Sequence, residues 1–117
     1  MIHNDKREWQ RLVVNMQARC RAVDGPACYE TTRIVDIHQH GCSVLGPFQF
    51  QKGQQVRVVL DLPFEGQISM TGEVKWSEPI NDEGEFRSGL GFFIDTPTAE
   101  ETCLKLYHFC LLRQPKQ

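Results

Sequence analysis

The chain has 117 residues, 40% of them hydrophobic, and a formal net charge of −2, which is enough sequence for one core but not for two. This charge gives no overall attraction to nucleic acid or to an anionic membrane, so any anion-binding site must be local. The apolar runs are only a few residues long, so no membrane insertion is expected. The N-terminal residues lead into no hydrophobic signal region, and we expect one cytoplasmic domain over residues 1–117.

The cysteines are odd in number and include no Cys-x-x-Cys pair. In a chain expected to stay in the cytoplasm, such cysteines are reduced thiols that behave as small hydrophobic residues. They are Cys20, Cys28, Cys42, Cys103 and Cys110. A disulfide framework is therefore not expected.

The first part of the chain contains a polar arm followed by two predicted strands. Residues 1–13 show no clean apolar period, which predicts a flexible N-terminal arm. Over residues 14–22 apolar and polar residues alternate, which is the pattern of a half-buried strand. A turn at Asp24-Gly25-Pro26 precedes a second strand over about residues 28–38.

The end of the second predicted strand is polar on one side. Alternation puts Val35 and Ile37 on one face of the strand, and Asp36 and His38 on the opposite face. His40 shares the face of Asp36 if the strand stays extended that far. We therefore expect these polar side chains to leave the same surface of the molecule.

Further segments follow, the first a short apolar piece and the others alternating, separated by turns that contain glycine and proline. They cover residues 42–45, 56–62, 68–76 and 86–94. In the third of these segments Trp76 has the same parity as Val74, which predicts that its indole faces the core. Six short strands at regular spacing predict an antiparallel β-barrel over residues 14–95.

After the sixth strand the periodicity changes from that of a strand to that of a helix. Thr98 and Glu101 have the spacing of a capping box, which predicts a single C-terminal helix over residues 98–113 that packs on the barrel. The buried face of this helix is predicted to carry Cys103, Leu104, Leu106, Tyr107, Cys110 and Leu111. Phe109 and Leu112 lie off that face and are available to a partner.

One cluster of nucleophilic and basic residues occurs in the sequence, at His38, His40, Cys42 and Ser43. It lacks a nucleophile elbow and an oxyanion-hole glycine pattern, so we expect no enzymatic activity. A zinc site would take His38 and His40 together with a cysteine or Asp36, but the usual spacings of zinc ligands are absent. We therefore expect neither a metal nor a cofactor.

A pair of arginines, Arg7 and Arg11, lies four residues apart near the N-terminus, with Lys6 beside it. One interpretation is a solvated basic arm. The other is a pair of guanidinium groups that binds phosphate and also forks onto O6 and N7 of a guanine. Because guanine also presents N–H donors, such a site needs an acceptor, and Asp36 is a candidate for it.

These two stretches resemble the sequence motifs of the PilZ domain, the bacterial receptor module for cyclic di-GMP. Arg7-Glu8-Trp9-Gln10-Arg11 matches the family's Arg-x-x-x-Arg element, which precedes the first strand. Asp36-Ile37-His38-Gln39-His40-Gly41 matches the family's Asp-x-Ser-x-x-Gly element at Asp36 and Gly41. The resemblance extends over about residues 6–112, with further similarity at Lys52-Gly53, Leu62-Pro63, Gly72-Glu73-Val74-Lys75-Trp76 and Gly89-Leu90-Gly91-Phe92.

The resemblance implies roles for the residues of both motifs. Arg7 and Arg11 would bind the phosphates and guanine faces of the dinucleotide, with Lys6 adding charge. Asp36 would bind a guanine or orient an arginine, and Gly41 would allow close approach of the backbone. The arm would be mobile without ligand and would close over the ligand on binding.

The chain departs from the family pattern at His38, which occupies the position of the serine. Its imidazole would obstruct a base, stack on one, or donate to a phosphate when protonated, since the ordinary pKa of histidine is about 6.5. His40 stands where the family has a small residue and would also line the site. Trp76 would contact a base if its indole reached the mouth of the barrel.

The resemblance therefore implies a stand-alone receptor that binds cyclic di-GMP and relays its bound state through an unidentified downstream protein. No DNA or RNA polymer is expected as a partner. The alternative is a degenerate PilZ adaptor, which does not bind cyclic di-GMP and acts as a protein-interaction module. His38, together with the apolar helix residues Phe109 and Leu112, motivates this alternative.

Overall fold

The computed structural model describes residues 10–63 and 65–114. Its elements in chain order are β1 (Leu12–Ala22), β2 (Glu30–His38), β3 (Gly41–Gly46), β4 (Gln55–Leu62), β5 (Gly66–Pro79), β6 (Phe86–Phe92) and α1 (Pro97–Leu112). The strands pair antiparallel and close into a barrel in the order β1-β2-β3-β6-β5-β4. The predicted fold class, a six-stranded antiparallel barrel followed by one helix, is confirmed. Of the predicted arm, residues 1–9 lie outside the described part of the chain.

The interior of the barrel is filled by apolar side chains that alternate along the strands. In β4 the alternating residues Val56, Val58, Leu60 and Leu62 are all buried, as their period of two predicts. Apolar residues of the other strands contribute to the same core. Burial of their apolar surface is the main source of the barrel's stability. No described helix has the length and apolar character needed to cross a membrane.

The helix α1 packs against the barrel through one face, which carries Leu106 and Tyr107 among its buried residues. The Tyr107 hydroxyl donates a hydrogen bond of 2.8 Å to the backbone carbonyl of Gln10, just before β1 begins. Leu111 was predicted on the buried face, but 45% of it is exposed, and Leu112 is 82% exposed. The buried face therefore ends near Cys110, and the last turn of the helix faces outward.

Three extra residues interrupt the regular pairing of the strands and change which way side chains point. They lie in β1 between Val13 and Met16, in β2 between Ile34 and Asp36, and in β5 between Val74 and Trp76. Each bulge shifts the alternation of its strand by one residue. Beyond the bulge, the face predicted for each side chain from odd and even positions is therefore the wrong one.

The prediction that Trp76 faces the core was wrong, because of the bulge in β5. Val74 pairs with Leu90 and is fully buried, whereas Trp76, two residues on, pairs with Gly89. The extra residue turns the indole to the outer face, where 39% of Trp76 is exposed. Ser77 then points inward and its hydroxyl hydrogen-bonds with that of Ser88 at 2.9 Å.

The start of α1 also differs from the predicted capping box. The backbone N–H of Ala99 donates to the Thr96 hydroxyl at 3.1 Å, and Pro97 occupies the first helical position. Thr98 lies inside the helix, where its carbonyl accepts a hydrogen bond of 3.0 Å from the Thr102 hydroxyl. The cap is therefore Thr96, two residues before the predicted one.

We expect Thr96→Ala to lower the free energy of unfolding by about 1 kcal/mol, because it leaves an N-terminal amide of α1 without its acceptor. The matched change Thr98→Ala should alter this free energy by no more than about 0.5 kcal/mol, since it removes no cap. Urea unfolding followed by circular dichroism measures both values. A larger loss for Thr98→Ala than for Thr96→Ala would contradict the assignment of the cap.

Candidate functional site

The candidate site lies on the outer face of the barrel, where β2, β3, β6 and β5 run side by side. The strand register places Asp36 opposite Ser43, Ser43 opposite Gly89, and Gly89 opposite Trp76. These residues form one row across four strands, which spans about 14 Å at the usual strand spacing. The row joins a carboxylate at one end to an aromatic ring at the other.

The floor between these ends contains several glycines, and neighbouring side chains rest on them. Gly41 pairs with Gly91 beside the row, and Gly89 lies within it. A Cβ atom on Gly89 would overlap the indole of Trp76, and one on Gly41 would overlap the carbonyl of Leu90 and lie 2.9 Å from the His38 ring. Glycine is therefore required at both positions, because the Trp76 ring rests directly on Gly89 and the Leu90 carbonyl lies against Gly41.

Asp36 is a buried carboxylate, only 2% exposed, at the end of β2. Arg87 reaches it from β6 across β3, and its Nη2 donates to Asp36 Oδ2 at 2.7 Å. Within residues 10–63 and 65–114, Asp36 Oδ1 and Arg87 Nε are both buried and have no hydrogen-bond partner. The carboxylate thus has one satisfied oxygen and one free acceptor.

Arg87 was not among the residues predicted from the sequence. It belongs to no local motif, since Asp36 is 51 residues away along the chain. The alternation of β6 could have indicated it. Ser88 and Leu90 point into the barrel, so Arg87 points outward, on the same side as the glycines. A buried aspartate normally requires such a cation.

His38 lies on the same face as Asp36, as predicted, since both alternate with the buried Ile37. Burial lowers the pKa of His38 below its ordinary value, and the positive charge of Arg11 lowers that pKa further, as does His40. Asp36 opposes these effects but does not reverse them. At neutral pH the His38 imidazole is therefore uncharged, with one donor and one acceptor nitrogen.

His40 does not continue the polar face of β2, because the strand ends at His38 and a two-residue turn of Gln39 and His40 follows. The side chain of His40 is exposed, and its carbonyl accepts a hydrogen bond of 2.7 Å from the backbone of Phe92. His40 thus stands at the rim of the site rather than on its floor.

The cluster considered for catalysis is not arranged as a nucleophile and base. Cys42 points into the barrel core, 2% exposed, and burial raises the pKa of its thiol well above the ordinary value. A buried thiol held in this protonated form is a poor nucleophile. No group of three or more His, Cys, Asp or Glu among the described residues is suited to hold a metal ion.

The structure brings most of the predicted site residues to one region and leaves two outside the described part of the chain. Arg7 and Lys6 belong to residues 1–9 and are not described. The residues that lie on or beside the outer face of β2, β3, β6 and β5 are Arg11, Asp36, His38, His40, Gly41 and Trp76. An acceptor, cations and an aromatic ring beside a glycine-rich floor together suit a planar, anionic ligand.

The sequence matches the family model of the PilZ domain over residues 5–109. No curated protein matches it.

Solved structures share the fold at low sequence identity. The PilZ domain of CeSA from a cellulose-synthesizing bacterium superposes with a TM-score of 0.67 at 16% identity, covering 85% of this chain and 95% of that one. The PilZ domain of YcgR from Escherichia coli with c-di-GMP gives 0.67 at 14% identity, covering 92% of both chains. The inhibitor of motility MotI/DgrA from Bacillus subtilis gives 0.68 at 16% identity. This chain is 98% covered by that match but spans only 55% of MotI/DgrA.

We expect Arg11→Gln to raise the pKa of His38, because it removes a positive charge that disfavours the imidazolium. The pKa should stay below the ordinary value for histidine, since burial, the larger cause, is retained. Two-dimensional NMR of the imidazole carbons across a pH titration measures this shift. The control Arg19→Gln, at an exposed arginine paired with Asp61 at 3.9 Å, should leave the pKa of His38 unchanged. An unaltered pKa in Arg11→Gln would contradict the placement of Arg11 beside His38.

Proposed function

This chain belongs to the PilZ domain family, and from that premise we propose that it is a receptor for cyclic di-GMP. The observation that carries the proposal is the buried Asp36, whose Oδ1 has no hydrogen-bond partner among the described residues and which shares a row across the strands with Gly89. The structure of the YcgR PilZ domain with c-di-GMP supports the choice of ligand. We propose that residues 1–117 act as one stand-alone domain in the cytoplasm, where the free cysteines would stay reduced.

The cations of the site are assigned to the phosphates and to the base faces of the ligand. Arg11 lies beside His38 at the edge of the floor, and its guanidinium can form two parallel hydrogen bonds with a phosphate. We assign the same role to Arg7, four residues earlier, with Lys6 adding positive charge. Arginine suits this role better than lysine, because its planar fork also stacks on a base.

The remaining residues are assigned to the guanine bases. Asp36 would accept hydrogen bonds from a guanine edge, and Gly41 would let the base approach the backbone. Trp76, turned outward by the bulge in β5, offers a flat surface on which a second base would stack. His38 and His40 would line the edge of the same floor, with His38 in its neutral form at physiological pH.

The bound state would be relayed to a downstream protein through a change of surface, without any reaction on the ligand. The Tyr107 hydroxyl bonds the carbonyl of Gln10, so the residue before Arg11 is tied to α1. The outer face of α1 carries the exposed Leu111 and Leu112. We propose that these residues, together with the ligand-bound edge of the barrel, form the surface that the partner recognises.

Isothermal titration with cyclic di-GMP tests the proposed function. We expect a saturable heat signal for the wild-type chain, and a loss of at least about tenfold in affinity for Arg7→Ala and for Arg11→Ala. Each substitution removes charge-assisted hydrogen bonds to phosphate or base, which explains the size of the loss.

The matched control is Arg19→Ala, which removes an exposed arginine of β1 that pairs with Asp61 away from the site. This variant should bind cyclic di-GMP with wild-type affinity. The comparison separates the loss of a contact in the site from the general loss of one positive charge. No heat from the wild-type chain at high micromolar ligand would rule out the proposed function.

A second candidate function is that of a PilZ adaptor that binds a protein partner but no nucleotide. The observation that favours it is the His38 ring, which lies over Gly41 and covers part of the floor that a base would use. Exposed apolar residues on α1 would then serve a partner that is indifferent to cyclic di-GMP.

His38→Ser separates the two candidates, because serine is the residue of the family motif and its hydroxymethyl group leaves the floor open. If the chain is an adaptor blocked by His38, the wild type should give a flat titration and His38→Ser should bind cyclic di-GMP. If it is a receptor, both proteins should bind. Binding of cyclic di-GMP by the wild type at micromolar concentration would exclude the second candidate function, an adaptor that binds no nucleotide.

A further inference from the structure

The ion pair between Arg87 and Asp36 has an unusual form for a buried pair. A carboxylate and a guanidinium commonly form two parallel hydrogen bonds that use both oxygens. Here the described contact is a single one, from Nη2 to Oδ2 at 2.7 Å, and Oδ1 has no partner within residues 10–63 and 65–114. Buried polar atoms are rarely left unsatisfied, so this free oxygen calls for an explanation.

We propose that Arg87 is a positioning residue of the binding site, which holds Asp36 by Oδ2 so that Oδ1 is presented to the N1–H and N2–H donors of a guanine. The Arg87–Asp36 pair would thereby set the preference of the site for guanine over other purines. This inference rests on the proposed binding of cyclic di-GMP and assigns a role to a residue outside both sequence motifs.

The location of Arg87 supports a positioning role. It lies on β6, two strands from β2, and its side chain crosses β3 to reach the carboxylate. Its Nη2 is held against Asp36 and its Nε is buried without a partner among the described residues, while 40% of the side chain is exposed to solvent. Among the described residues, Arg87 is the one cation that pairs with Asp36.

The chemistry of the carboxylate supports the preference for guanine. An ionised carboxylate is an acceptor only, so Oδ1 can bind N–H groups but repels acceptor nitrogens. Guanine presents two adjacent donors, N1–H and the N2 amino group, whereas hypoxanthine keeps N1–H and lacks the amino group. A site built around a buried polar group discriminates strongly against a ligand that leaves that group unpaired. Without Arg87 the carboxylate would lose its charge partner and its fixed orientation.

The test compares two ligands, cyclic di-GMP and its hypoxanthine analogue cyclic di-IMP, by isothermal titration against wild type and Arg87→Met. For the wild type we expect cyclic di-GMP to bind at least about tenfold more tightly, which is the effect of one hydrogen bond to a charged group. In Arg87→Met the ratio should fall to about twofold or less. Arg87→Lys, which keeps the charge, should retain an intermediate ratio.

The matched control is Arg57→Met, the same substitution at an exposed strand residue whose guanidinium bonds the Ser69 hydroxyl at 2.7 Å. It should leave the ratio of the two affinities unchanged. If Arg87→Met does not fold, Arg87→Lys carries the test, and an unchanged ratio in folded Arg87→Lys would contradict the inference.

The ratio separates positioning from a merely structural role, which would weaken both ligands by the same factor. An unchanged ratio in folded Arg87→Met, with binding by the wild type, would overturn this inference and leave the proposed function in place. Wild-type titrations that are flat for both ligands would overturn the proposed function and this inference with it.

Discussion

Closure of the barrel depends on one short strand pairing, in which Arg19–Ala22 of β1 pair with Val56–Val59 of β4. These four pairs join the two ends of the sheet order and remove its open edges. On its other edge β1 pairs with β2, so that Val13 lies opposite Asp36 and Arg11 stands next to His38. The same strand thus closes the barrel on one edge and brings Arg11 to the polar end of β2 on the other.

The outer face of β3 and β6 combines glycines that neighbouring side chains cover with a buried charge. Gly41 lies beneath His38 and Gly89 beneath Trp76, while Asp36 is 2% exposed and has one oxygen without a partner in the described residues. An unsatisfied buried acceptor costs about 1–3 kcal/mol. Native folds tolerate a local cost of this kind mainly at functional sites.

Much of the fold followed from the sequence, because a period of two predicts strands wherever the pairing is regular. Trp76 was misplaced because one extra residue in β5 reverses the alternation, and no local pattern marks that bulge. Arg87 was missed because its partner is 51 residues away. The helix start was misplaced because Thr96 and Thr98 both flank Pro97, and the acceptor for the Ala99 amide depends on backbone geometry. Gly41 was selected only by resemblance to a motif, whereas Asp36 was also selected by the alternation of the second strand.

The hydrogen bond from Tyr107 to the carbonyl of Gln10 joins the residues just before β1 to the last helix. If a ligand held Arg11, the neighbouring Gln10 would be restricted, and α1 would be held more firmly on the barrel. By reciprocity, a protein that favoured the docked position of α1 would then raise the affinity for that ligand by the same factor. This single bond joins residues 97 apart in the chain and is thus a direct link between β1 and α1.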